Sequence, residues 1–138
     1  MIIRDKQMET MKREKEEEFE REIMQFLRTD YPETVKDIPP DVFRLMVRNG
    51  IERARSNGLT WRYSISMFVS LMFLMAPNFD EHPVIRRRLS NPVAEPDYMI
   101  ESVVDVTTPD EWLEARLLYD HTAWGTAAEM LPENWRQQ

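Results

Sequence analysis

Between residues 4 and 29 the chain has no glycine or proline, and the apolar positions Met8, Met11, Phe19, Ile23, Phe26 and Leu27 recur at spacings of three, four and their multiples. That period predicts a long α-helix. Its apolar stripe is thin at first and thicker from Phe19 to Leu27. The first turns are therefore expected to project into solvent or onto a partner, while the later ones dock on a core. Glu14, Glu16, Glu17, Glu18, Glu20 and Glu22 alternate with Lys12, Arg13, Lys15 and Arg21, offering many i,i+4 ion pairs. Asp30-Tyr31-Pro32 should end the helix, because a residue before proline avoids the helical region.

A second helix, residues 41–57, is expected after Ile38-Pro39-Pro40, with Asp41 in its first turn and Gly58 just beyond its end. Phe43, Val47, Ile51 and Ala54 form one face, widened by Val42 and Met46, and Arg44, Arg48, Glu52 and Arg55 line the other. Gly50 costs the helix about 1 kcal/mol relative to alanine, which marks it as a close crossing. Thr60 is expected to cap a third helix, residues 61–76. Residues 63–79 carry no charge, so this helix is apolar nearly all round and reads as a central buried helix. Pro77 stops it after about 16 residues, short of the roughly 20 that a bilayer requires. Ser66 and Ser70 form a small-residue stripe, expected to let a neighbouring backbone come close.

Beyond a turn at residues 78–83, Pro83 suits the first position of a short helix, 83–89. Pro92 and Pro96 punctuate a linker, and residues 97–131 read as an acidic helical segment. It opens with a short helix at about 97–104. A second helix follows, with Thr108 as N-cap, Pro109 at N1 and Glu111 at N3, reaching past Gly125 to Leu131. The tail from Pro132 to Gln138 is expected to fray, with Trp135 able to dock. Val103-Val104-Asp105-Val106 is the one β-prone run and lacks a partner. The pattern predicts an all-α fold: a single domain of 138 residues, an irregular or orthogonal bundle of about five helices around the central helix 61–76.

Composition narrows the chemistry. Hydrophobic residues make up 42% and charged residues 31% of the chain, an ordinary globular mix. Cysteine is absent, which excludes disulfides, thiolate metal sites and cysteine nucleophiles. Three glycines and two histidines leave little for a phosphate loop or a histidine-built metal centre. The net charge of −7 is uneven: residues 1–89 hold 16 basic against 15 acidic side chains, and residues 90–138 hold 2 against 10. That balance disfavours nucleic acid and anionic membrane surfaces as partners. Charges at Arg4, Asp5 and Lys6 fall where a secretion signal needs its apolar run. Together with the missing cysteine, they point to a cytoplasmic protein.

Two polar clusters could carry chemistry, Asp80-Glu81-His82 and Asp120-His121. Neither has a recognised metal spacing, so no metal, cofactor or catalytic residue is expected. An enzyme of hydrolase type using His82 or His121 with neighbouring carboxylates is the rival reading. Arg86-Arg87-Arg88 is expected to pair with the acidic C-terminal third. Most of the ten methionines fit core packing, whereas Met8 and Met11 sit on a highly charged helix with few apolar neighbours. They are the candidate partner contacts, with Lys12 and Lys15 beside them and Arg44 and Arg48 as a secondary patch.

Gln7-Met8, Phe19, Leu27-Arg28, Tyr31-Pro32, Gly50-Ile51, Arg53-Ala54, Gly58-Leu59-Thr60, Phe68, Leu71-Met72, Phe79-Asp80, Pro83 and Leu89 add a further element. In these residues, which span about 1–90, the chain resembles a group of small helical bacterial proteins encoded beside type VI secretion spike, PAAR-like and toxin-effector genes. It departs from them at Val84-Ile85, where that group has a tryptophan. The resemblance implies a non-enzymatic accessory that holds another protein, as adaptor or chaperone for a secreted effector or spike component. An immunity protein neutralising a toxin is the alternative, since an acidic surface suits a basic toxin. A homodimer through the first helix is a third.

Overall fold

The computed structural model of the chain describes residues 2–91 and 94–136. Pro92 in the expected linker and the end of the tail, residues 137 and 138, lie outside them. The elements in order are α1 (Ile2–Asp30), α2 (Pro32–Val35), α3 (Pro40–Ser56), α4 (Arg62–Leu74), a 3-10 turn (Phe79–Glu81), α5 (Pro83–Leu89), α6 (Pro96–Val106), α7 (Pro109–Leu117), a 3-10 stretch (His121–Met130) and α8 (Glu133–Arg136). No strand occurs among the described residues, and Val103 to Val106 complete α6.

The expectation of about five helices around one central helix is therefore corrected. The described residues form an irregular all-α bundle of eight α-helices and two 3-10 segments. Proline explains much of the extra division: Pro32, Pro40, Pro83, Pro96 and Pro109 each open a helix of their own. Nor is α4 a hub. The packing is distributed, with α3 set against α1, α4 and the His121–Met130 stretch, and α6 set against α4 and α5. Absence of charge in 63–79 did not mean burial all round, because apolar side chains make up much of any protein surface. Ser66, Met67, Leu74 and Met75 remain only half-buried.

The core gathers Phe19, Ile23 and Leu27 from α1, Phe43, Met46, Val47 and Ile51 from α3, and Ile65, Phe68, Val69 and Met72 from α4. Phe26, expected on the same stripe, is exposed instead. Residues 4–15 are exposed throughout, so α1 projects beyond the body at its N-terminal end. Gly50 marks a close crossing: a Cβ there would lie 3.2 Å from both methyls of Val69 and 3.3 Å from the Met72 sulfur.

Two expected helix features differ in the C-terminal third. Thr108 and Glu111 do form a capping box on α7. The helix, however, stops at Leu117 instead of continuing to Leu131, and the chain proceeds as a 3-10 stretch broken at Gly125 (φ 66°, ψ −131°). That conformation is open to glycine and strained for other residues. The tail does not fray over residues 133–136, which form α8. Trp135 is buried there, its ring centroid 6.2 Å from Phe73 and 6.4 Å from Trp124.

Candidate functional site

The half-buried side of α4 is the floor of an apolar groove of about 390 Å³, walled by Phe26 and Tyr31 from the end of α1 and by Val104 of α6. Helical spacing places Tyr63, Ser66, Met67, Ser70 and Leu74 on that side. Tyr63 is 64% exposed, Phe26 44% and Tyr31 39%. Phe26 and Tyr31 meet edge-on at 5.9 Å, which steadies the wall. Ser70 donates its hydroxyl to the Ser66 carbonyl at 2.8 Å, so this polar group makes little demand on whatever covers the floor. The serine stripe was expected to admit a neighbouring backbone. Instead it is the low point of a groove, and the close approach occurs on the opposite side of α4, at Gly50.

Acidic side chains neighbour the wall residues along the chain, and the exposed Arg28 of α1 lies over the Phe43 ring. Glu101 and Asp105 flank Val104 in sequence and are exposed, as is Asp30 beside Tyr31. No ion pair occupies any of the three among the described residues. The stretch from residue 89 to 115 contains no lysine or arginine. The nearest arginine on α4, Arg62, is held by Glu22 at 2.6 Å and lies over the Phe19 ring.

The residues singled out as partner contacts fall in two places. Met8 and Met11 are more than half exposed on the projecting part of α1, with Lys12 and Lys15 exposed beside them. Arg44 and Arg48 are 41% and 47% exposed and are at the same time paired. They converge on Glu20, a carboxylate only 4% exposed, at 3.2 and 2.9 Å. Burial works against the Glu20 charge, but the hydrogen bonds from Arg48 and Arg44 prevail and hold its carboxyl below the ordinary range. Arg55 pairs with Glu16 at 2.7 Å, so the arginine face of α3 interlocks with α1 while remaining partly open to solvent.

The polar clusters are engaged structurally. Asp80 is buried and accepts from Arg53 at 3.0 and 2.9 Å and from Asn57 at 3.2 Å. These groups line an open polar cleft of about 570 Å³ with Glu81 and Arg86. His82 and Glu114 are joined at 3.0 Å between Nε2 and Oε2, and His82 Nδ1 is buried without a partner. Around that pair lie Pro83, Val84, Leu117 and Leu118, a shallow apolar surface with no hydroxyl or amine nucleophile among its lining residues. Asp120 accepts from the Thr122 hydroxyl and N–H, which keep its carboxyl below the ordinary range. The structure does not bring Asp120-His121 and Asp80-Glu81-His82 into a shared ligand set. Among the described residues no group of three or more His, Asp or Glu side chains could hold a metal ion. Arg88 does reach the acidic third, pairing with Glu111 at 2.9 Å and donating to the Thr107 hydroxyl.

Sequence reasoning missed the groove. Its signal was present: in a helix apolar nearly all round, the side with two serines and a tyrosine is the least hydrophobic and so the one turned outward. Among the described residues no helix is long and apolar enough to cross a membrane. Compared with protein-family models, characterised proteins and solved structures, the chain matches none.

Proposed function

We propose that this chain is a non-enzymatic accessory that binds another protein through the groove on α4. The observation that supports this reading is the exposure of Tyr63, Phe26 and Tyr31 around an apolar floor. Tyrosine and other aromatic side chains supply much of the binding energy at protein interfaces. Leaving them in water forgoes about 25 cal/mol for each Å² of apolar surface that a partner would cover. The finer reading, a cytoplasmic adaptor or chaperone for a secreted effector or spike component, rests on the spaced residues of the first 90 positions. A second reading, an immunity protein for a basic toxin, draws on Glu101 and Asp105, exposed and without ion pairs among the described residues.

A photo-crosslinking phenylalanine analogue placed at Tyr63 tests the proposal in the native host. The expected result is a single covalent adduct, absent when the analogue replaces Leu117 on the far apolar surface. An effector or spike component in the adduct supports the adaptor reading. A toxin whose activity the protein abolishes supports the immunity reading. Adducts from Met8 or Met11 but none from Tyr63 would move the working surface to the projecting end of α1 and overturn the groove assignment.

A further inference from the structure

Resting on the reading of the groove as a protein-binding site, we infer that its occupant is an amphipathic α-helix with an apolar face and lysine or arginine at its flanks. Three observations carry this. The first is main-chain chemistry: no strand occurs among the described residues, and the α4 backbone is spent within its own helix. An extended segment laid in the groove would leave its N–H and C=O groups without partners, whereas a helix satisfies its own. The second is size. α4 is 13 residues long, or about 20 Å at 1.5 Å per residue, which suits about three turns of a helix presenting residues at i, i+3 or i+4, and i+7. The small floor at Ser66 and Ser70 gives such a residue depth.

The third observation is charge. Asp30 on one side and Glu101 and Asp105 on the other are exposed and without ion pairs among the described residues, and Arg62 is already neutralised by Glu22. Such a rim favours basic flanks and rejects acidic ones. It also argues against a second copy of this chain seated groove to groove, because that arrangement sets Glu101 and Asp105 against their own counterparts.

The test uses the whole protein and three synthetic helical peptides that share one length: a leucine face with lysine flanks, the same face with glutamate flanks, and a scramble of the first. Binding is read by fluorescence anisotropy. The lysine-flanked peptide is expected to bind at least tenfold more tightly than the glutamate-flanked one, with the margin shrinking as salt is raised. The scramble should not bind. Tyr63→Ala or Phe26→Ala, both exposed and safe for folding, should each weaken the lysine-flanked peptide. The double variant Glu101→Lys, Asp105→Lys should reverse the flank preference.

Equal or tighter binding of the glutamate-flanked peptide would overturn the inference about the partner while leaving the groove as a binding site. Equal binding of the scramble would reduce the effect to bulk charge and also overturn it. Loss of every peptide, together with an absence of crosslinks from Tyr63, would defeat the underlying proposal itself. A concentration-dependent dimer in sedimentation, broken by Tyr63→Ala, would assign the groove to a second copy instead.

Discussion

Asp97 holds Thr60 with both carboxylate oxygens: Oδ1 accepts the Thr60 N–H at 2.9 Å and Oδ2 accepts its hydroxyl at 2.9 Å. Oδ1 also accepts the Trp61 N–H at 2.8 Å. The two residues ahead of α4 are thus anchored by a side chain from α6, 36 residues beyond Trp61, while the first turn of α4 itself has no side-chain cap. This anchor joins the head of α4, which floors the groove, to the helix that carries Val104.

Replacing Asp97 with alanine should cost about 2 kcal/mol, since it removes a buried carboxylate that ties down two backbone N–H groups and the Thr60 hydroxyl ahead of α4. Burial raises the Asp97 pKa and the hydrogen bonds from Trp61 and Thr60 lower it, with the hydrogen bonds prevailing. A carboxyl with a depressed folded pKa stabilises fully above its unfolded value, about pH 4. It loses that contribution as pH falls through the folded value. Urea unfolding followed from pH 5 downward should therefore show stability falling below about pH 4. Asp97→Asn should flatten that slope, although Glu20, shifted in the same direction, keeps part of it. An unchanged slope would mean that the carboxylate does not anchor the head of α4.

The ion cluster around Glu20 should respond unequally to removal of its two sides. Glu20 is buried, whereas Arg44 and Arg48 are 41% and 47% exposed. Glu20→Ala releases two arginines that water can solvate, at a cost of about 1 kcal/mol. The double change Arg44→Ala, Arg48→Ala leaves a carboxylate without its cations and should cost about 3 kcal/mol. Denaturant midpoints of the two variants check the order, and equal losses would mean that Glu20 finds water or another donor when its arginines go.

Opposite sides of α4 should answer differently to added bulk. Gly50→Ala gains about 1 kcal/mol of helix propensity. It also presses a methyl onto Val69, which is fully buried and stiff at χ1. A net loss of about 1 kcal/mol is expected. Ser66→Leu, by contrast, fills the groove floor and should leave the unfolding midpoint within about 0.5 kcal/mol of the parent while abolishing the Tyr63 crosslink. Destabilisation by Ser66→Leu comparable to that by Gly50→Ala would show that the groove is closed in solution.

Removal of residues 1–12 should leave the thermal transition almost unchanged, because residues 4–15 are exposed and α1 meets the core first at Phe19. A shift of no more than about 0.5 kcal/mol is expected by calorimetry. The same truncation tests Met8, Met11, Lys12 and Lys15 as contacts: if it weakens association with the crosslinked partner tenfold, α1 adds a second surface to the groove.

Much of this molecule follows from local chemistry that any reader of the chain can apply. The period from Phe19 to Leu27, the proline at the head of α5, the Thr108–Glu111 box and the tight position of Gly50 each depend on residues within a few places of one another, or on a steric demand that glycine alone meets. Helical character and the absence of strands follow from the same short-range rules. Other features were decided by packing between distant segments. Whether Phe26 faces inward or outward differs by one position from Leu27, and only the placement of α3 and α4 against α1 settles it. Thr60 has the right chemistry to cap α4, yet the helix starts only at Arg62 and the Thr60 hydroxyl turns instead to the buried Asp97 carboxylate that α6 brings alongside. Arg44 and Arg48 belong to a solvent-facing stripe by periodicity alone, and they are tied to α1 because Glu20 lies where both guanidinium groups reach. Local energies choose helix over strand residue by residue. Which side of a helix meets another depends on the fit of whole elements, and a stretch without charge can rest at the edge of a core as readily as at its centre.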